Sequence, residues 1–330
     1  MNYIGSKHKL TPWIKQNIED IVSDLHVKVF CDIFAGTASV AKSFKKDVKQ
    51  VITNDMEHYS FVLSRNYIVN HRPIPNKEKI IEKLNTLKGV EGFVYKNYCL
   101  GSGSGRQYFS DENGKKIDAI RQKIQNYKED ENLYYFLLAS LLESADKVAN
   151  TASVYGAFLK DLKKTAQKKL VLEPALYEYN KNSHKAYNQD SNELIKHISG
   201  DILYLDPPYK QRQYGANYHI LNTISTYKPF EPKGKTGIPP TYNRSKYARS
   251  KYALKELDEL LNNARFEYIF LSYNNEGLID KDEIKNIMQK YGDYQLVTKK
   301  HKRFRTSNTK KKTTTEYLHV LKKNLNKGNI

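Results

Sequence analysis

The sequence predicts an α/β fold: an open, parallel-type sheet interrupted by a mainly helical insertion. Three observations carry this. A strand–turn–helix–strand–helix pattern fills residues 27–70, helical periodicity alone runs from about 71 to 184, and strand–helix alternation returns after about 185. Alternating strands and helices mark a doubly wound sheet. The expected organisation is a discontinuous sheet domain, residues 1–70 and 185–330, holding a helical insertion, residues 71–184.

The elements follow in order. "VKVFCDIFAGTASVAKSF", residues 27–44, reads as strand, tight loop and helix: Val27, Val29, Cys31 and Ile33 alternate, Gly36 punctuates, and Thr37 or Ser39 can cap the helix. "VKQVITNDMEHYS" places a short strand around Val51–Thr53 that ends on Asn54 and Asp55, and "YSFVLSRNYIVN" continues as a helix. In the insertion, "KIDAIRQKIQNYKED" and "NLYYFLLASLLESADKVAN" read as helices, the second mostly buried. The stretch "GSGSGRQYFSDENGKK", 101–116, reads as a flexible polar loop; no strand precedes its glycines and no GK[ST] follows, so it is not a nucleotide cradle. "DILYLDPPY" is a buried strand with a stiff corner, since two prolines lack the N–H donors of a central strand. Residues 228–264 give a long Pro/Gly-rich basic loop and then an amphipathic helix from about Ser250. "RFEYIFLSYNNEGLI" and "TTTEYLHVLKK" supply the last two strands.

Bulk properties narrow the partners. Hydrophobic residues make up 39% of the 330, enough for a real core, while Lys+Arg 55 against Asp+Glu 36 leaves a net charge of +19. So positive a surface favours a polyanion. No apolar run approaches the ~18 residues of a membrane span, and "MNYIGSKHKL" lacks a signal-peptide core. Two cysteines and nine scattered histidines provide neither a disulfide framework nor a metal-ligand spacing. The chain is expected to be intracellular and cytoplasmic, metal-free and free of membranes.

Two constellations carry chemistry. Asp55 lies 19 residues beyond Gly36, after the second strand, the position of an acid that holds a ribose diol. With one glycine and no GxGxxG, the spacing suggests an adenosine moiety rather than a dinucleotide, the alternative being an ordinary strand–turn–helix with an aspartate at the rim of the sheet. The second is Asp206-Pro207-Pro208-Tyr209, at the carboxyl end of a strand, where open α/β sheets bind ligands. The Asp206 carboxylate and the Pro207 carbonyl are two rigidly placed acceptors suited to an exocyclic amine, and Tyr209 can stack on a planar base. A base inside a duplex reaches such a pocket only when flipped out.

With these residues the chain resembles the D12-class, Dam-like DNA N6-adenine methyltransferases. The matching segments are "NYIGSKHKL", "DIFAGTASVA", "TNDME", "YFSDENGKKIDAIRQKI", "NTASVYGAFLK", "LYLDPPY" and "LSYNNEGLI", with "RFRTSNTKKKTTTEYLHVL" like the C-terminal strand of that family. Glycine turn, helical insertion, then DPPY is the order of the alpha subgroup. The resemblance implies a Rossmann-like S-adenosylmethionine-dependent methyltransferase sheet, with the insertion as the target-recognition domain. It implies that Tyr3, Gly5 and Lys7 contact S-adenosylmethionine, that Asp32, Phe34 and Gly36 lie by its methionine part, and that Asp55 holds its ribose. Asp190 matches the position near the cofactor adenine, and Asp206, Pro207, Pro208 and Tyr209 would hold the target adenine, Asp206 also bordering the cofactor. One departure is visible: the turn reads Phe34-Ala35-Gly36-Thr37-Ala38, where many relatives have a second glycine at the last position.

Affinity for double-stranded DNA is expected from the basic clusters at Lys228–Lys251 and Lys299–Lys312, through phosphate contacts. Candidate DNA contacts are Arg106, Gln107, Asn113 and Arg121 in the insertion and Arg212, Gln213, Asn217 and Tyr218 beside the pocket. A cognate restriction endonuclease is a further candidate partner, and the nucleoid the expected place of action. Two alternatives stay open: methylation of adenine N6 or cytosine N4 in another nucleic acid such as RNA, and a non-catalytic DNA-binding relative.

Overall fold

The computed structural model describes residues 3–302 and 313–324. The chain divides into two compact units: one of Lys7–Met56, Asn182–Gln213 and Arg244–Ile330, the other of Met1–Ser6, Glu57–Lys181 and Tyr214–Asn243.

The first unit is built on a seven-stranded sheet. In chain order the strands are β1 (Val29–Asp32), β2 (Gln50–Asn54), β3 (Lys185–Tyr187), β4 (Ser199–Leu205), β5 (Arg265–Asn274), β6 (Gly292–Lys302) and β7 (Thr313–Lys323). Their spatial order is β3-β2-β1-β4-β5-β7-β6. The strands from β3 to β5 pair parallel, while β7 runs antiparallel between β5 and β6. The expected Rossmann-like sheet is what the chain forms. Strand order reverses between β1 and β4, which creates the crevice where such sheets take ligands.

Both faces of the central strands are covered, so they read as continuous apolar runs. Cys31, Leu203, Leu205, Ile269 and Leu271 pack with Leu257, Leu260 and Leu261 of the helix Ser250–Asn263. Neighbours one residue out of phase face the other way, where Phe30 stacks on Phe44 with centroids 4.2 Å apart. The Val27 alternation was therefore incidental: Val27 closes a short 3-10 turn, is 54% exposed, and β1 begins at Val29. β6 was not expected from the sequence; part of the second basic cluster, Lys299–Lys302, lies in it, and the remainder to Lys312 lies outside the described residues.

The second unit is mainly helical. Its longer helices are His58–Ser64, Lys77–Asn85, Asp111–Ile124, Glu131–Lys147 and His219–Thr226. They bury Ile117, Ile120, Leu137, Leu141, Ile220 and Ile224. The helix Asp111–Ile124 starts inside the stretch read as a loop, because the Ser110 hydroxyl accepts from the Asn113 amide and caps it. Gly114 is helical for a packing reason: a Cβ there would collide with Cys99 Sγ. Residues 148–181 carry no helix, and buried asparagines satisfy their backbone. The Asn150 side chain donates to Gln107 O and Leu159 O, at 3.0 and 2.9 Å, and accepts from Lys163 N at 3.0 Å.

The unit boundaries differ from those read in the sequence. Residues 57–70 and 214–243 belong to the helical unit rather than the sheet unit. The helix His58–Ser64 finds its partners in Glu131–Lys147 and His219–Thr226, and burial against them overrides proximity in sequence.

Candidate active site

The site in the sheet unit is built where β1, β2, β3 and β4 end. β1 ends on Asp32, and the chain turns through Phe34 to Gly36. That turn is tied to its neighbours: Ala35 N donates to Asn54 O and Gly36 N donates to Asp55 Oδ2, both at 2.9 Å. The buried Asn54 amide donates to Ile33 O and Gln189 O, each at 3.1 Å, and its oxygen accepts from Gln189 N. Asn188 Nδ2 donates to Asp55 O at 2.7 Å. Asp190 Oδ1 caps the helix Ser191–Leu194 by accepting from Asn192 N and Glu193 N. The Phe34 ring meets Tyr247 edge-on, with centroids 5.1 Å apart.

The glycine turn has two left-handed residues. Gly36 has φ 52°, which suits its lack of a Cβ, but Ala38 has φ 57°. The departure noted in the sequence is thus one of backbone conformation, not of space.

At the end of β4, Asp206 follows Leu205 directly and the two prolines stop the strand. Tyr209 is held by Leu278 N donating to its carbonyl at 3.1 Å and by the Tyr273 ring, 5.6 Å away and edge-on. The buried Lys7 ammonium lies 3.2 Å from Asp206 Oδ1, 2.6 Å from Glu316 Oε1 and 5.0 Å from the Tyr209 ring centre. Ser272 Oγ donates to the same Glu316 oxygen at 2.7 Å. Sequence reasoning missed Glu316. Its signal was an acid at an inward-facing position of β7, in phase with the buried Thr314, Leu318 and Val320.

Charge is concentrated here. Burial pushes the Asp206 carboxyl up to about 7, with Lys7 drawing it down and Glu316 pushing it up. Burial holds Asp32 well above the usual carboxylate range, and the negative charges of Asp206 and Asp55 add to this. Burial works against the Lys7 ammonium, but the negative charges of Asp206 and Glu316 oppose it and keep the lysine firmly protonated. Asp32 Oδ1 is buried without a hydrogen bond, and Asp206 Oδ1 has the lysine contact but no hydrogen bond of good geometry. A crevice with four carboxyl groups (Asp32, Asp55, Asp206 and Glu316), spare acceptor capacity and one lysine suits a ligand bearing positive charge and N–H or O–H donors. S-adenosylmethionine, with a sulfonium, an ammonium and a ribose diol, has that character.

Tyr3 and Gly5 lie in the helical unit. The Tyr3 ring stacks on Tyr218 at 4.7 Å and its hydroxyl meets Tyr59 Oη at 2.9 Å, while Gly5 has φ 77°. Several of the expected DNA contacts make hydrogen bonds within the protein. Tyr218 is buried and its hydroxyl accepts from Ile4 N at 2.7 Å. Asn113 is buried, donating to Ala166 O and Lys168 O and accepting from Leu170 N. Arg121 is 3% exposed, with Nε donating to Ile224 O and Nη2 to Ser225 O. Arg106 spreads its guanidinium over Asn97 O, Gly234 O and Lys235 O, and Gln213 pairs with the backbone of Ser245 through both ends of its amide. Gln107 and Asn217 are half-buried, and Arg212 is exposed.

Comparison with known proteins bears on the whole chain. The sequence profile of the D12 class N6 adenine-specific DNA methyltransferases matches residues 3–323. The chain is 55% identical over 333 aligned positions to the Type II methyltransferase M.NlaIII of Neisseria lactamica, covering 98% of this chain and 99% of that protein. It is 37% identical over 314 positions to the Type II methyltransferase M.CviAII of Paramecium bursaria Chlorella virus 1, covering 92% and 93%. It is 35% identical over 345 positions to the Type II methyltransferase M.FokI of Planomicrobium okeanokoites, covering 98% of this chain and 53% of that longer protein. Sheet, DPPY corner and these likenesses agree: the chain belongs to the D12 class of N6 adenine-specific DNA methyltransferases, enzymes whose methyl donor is S-adenosylmethionine.

Proposed function

We propose that this enzyme methylates adenine at one short site in double-stranded DNA, acting on a base flipped out of the helix, as the modification partner of a restriction endonuclease. The observation that carries the reading is Asp206: a largely buried carboxylate whose inner oxygen has the Lys7 ion contact but no well-formed hydrogen bond, fixed between the end of β4 and two prolines. In this reading Asp206 Oδ1 and the Pro207 carbonyl accept the two N6–H bonds of the adenine, and Tyr209 stacks on its ring. The N6 lone pair is delocalised into the ring and is a weak nucleophile, so holding both protons favours a more tetrahedral nitrogen. Bound S-adenosylmethionine supplies a methyl group already activated by the positive sulfur. Asp32 and Asp206 place negative charge beside that cation, and Asp55 is positioned to accept from the ribose hydroxyls. The protein's remaining task is to align the reacting atoms.

The helical unit is assigned target recognition, with phosphate contacts from its exposed lysines and base contacts from side chains not already committed internally; the exposed Arg212 of the sheet unit is assigned a further phosphate contact. Among the described residues no helix is long and apolar enough to cross a membrane. The nucleoid of the cytoplasm is the proposed place of action.

The test is expression in a methylation-free bacterial host, followed by base-resolution mapping of modified DNA. N6-methyladenine at a single short motif is the expected result, lost in Asp206→Ala while that variant still binds duplex. Wild-type turnover by Asp206→Ala overturns the assignment. A restriction nuclease blocked by the mapped mark identifies the partner class.

A further inference from the structure

Lys7 is one buried cation facing two carboxylates, the buried Glu316 and the largely buried Asp206. A structural ion pair needs a single partner, and each further buried charge costs free energy unless it is used. Glu316 is therefore in need of a reason. It holds the ammonium more closely than Asp206 does, at 2.6 against 3.2 Å. Its Oε1 is fixed by the Ser272 hydroxyl at 2.7 Å, so it keeps that grip from the rigid β5–β7 pair.

We propose that Glu316 is a positioning residue for methyl transfer: by drawing Lys7 toward itself, it leaves Asp206 an incompletely neutralised carboxylate and so a strong acceptor for the N6–H of the target adenine. The inference rests on the role given to Asp206 above and deepens it. With a neutral residue at 316, Lys7 would turn fully to Asp206 and weaken it as an acceptor. Among the described residues, other ionisable groups facing this pair are Asp32 on β1, Tyr204 on β4 and Tyr209. Burial raises both tyrosines, Tyr209 to about 12, so they stay neutral. Asp32 adds negative charge near Asp206, but among the described residues Glu316 is the carboxylate that competes for the lysine by direct contact.

The experiment compares wild type, Glu316→Gln, Ser272→Ala and Asp206→Asn on a duplex carrying the mapped site. It records kcat/KM and single-turnover rate from pH 5.5 to 9. The acid limb of kcat/KM reports ionisation in the free enzyme. Glu316→Gln is expected to move that limb down by about one pH unit, as a freed cation does for a neighbouring carboxylate. Its rate above the limb is expected to fall roughly 3- to 10-fold, with S-adenosylmethionine binding by calorimetry retained. Ser272→Ala removes one donor from Glu316, strengthens its hold on Lys7 and moves the limb upward. A limb unmoved in Glu316→Gln overturns the proposal. If Glu316→Gln does not fold, Ser272→Ala decides: an upward shift supports it, and an unmoved or lowered limb overturns it. Wild-type turnover in Asp206→Asn sinks the underlying reading instead, so the two failures are distinct.

Discussion

Replacing Lys7 by methionine keeps an unbranched side chain one atom shorter and removes its charge. In the wild type the ammonium is 2.6 Å from Glu316 and 3.2 Å from Asp206. At an effective dielectric near 20 these contacts are worth about 6 and about 5 kcal/mol gross. Desolvation of the three ions offsets most of that, and removing one partner of such a buried set costs roughly 3–5 kcal/mol. The loss depends on pH, and its sign follows from Asp206. Burial already pushes that carboxyl to about 7, and without Lys7 both burial and Glu316 push it higher. A carboxyl raised in the folded state stabilises the fold below its unfolded pKa and loses that stabilisation as pH rises through the folded value. The deficit of Lys7→Met relative to wild type therefore grows between pH 6 and pH 9, by about 1.4 kcal/mol for every tenfold weakening of the Asp206 carboxyl as an acid. Urea unfolding followed by circular dichroism at both pH values measures it. Methyl transfer at pH 7.5 should fall at least about 100-fold, because a protonated Asp206 no longer accepts. A deficit that is the same at both pH values, or that shrinks as pH rises, would refute this account of the cluster.

Further outcomes follow from the same geometry. Ala38→Gly should stabilise the protein by about 0.5–1 kcal/mol in thermal unfolding, since the left-handed φ of 57° no longer strains a Cβ, less the extra freedom glycine gains on unfolding. Arg121→Ala should cost about 3 kcal/mol of stability, having lost buried bonds to Ile224 O and Ser225 O, yet leave the mapped DNA motif unchanged; a relaxed motif would restore it as a base reader. Asp55→Ala should raise the Kd for S-adenosylmethionine by about 10- to 100-fold in calorimetry, since a charged acceptor for the ribose is gone and the Gly36 amide is unpinned.

The residues of the proposed site were readable as candidates because they lie where backbone and side chain must cooperate over a few positions. Gly36, Asp55 and the Asp206–Tyr209 corner each combine a turn or strand end with one acid, and spacing along the chain reports both. The DNA candidates were less readable. Arg121, Asn113 and Tyr218 have the hydrogen-bonding groups of a recognition surface, but those groups serve equally to satisfy backbone inside a fold with long helix-free segments. Burial separates the two uses, and residue type does not encode it.

By itself the sequence determined the fold class, and its motifs carried the resemblance that names the family and the cofactor, because periodicity and short motifs are local consequences of strand, turn and acid placement. Only the tertiary structure decided the rest. It added β6, moved residues 57–70 and 214–243 into the helical unit, and brought Glu316 and Ser272 to Lys7 and Asp206. Those contacts join positions far apart in the chain, and a buried charge acquires its meaning only from the partners that packing sets against it.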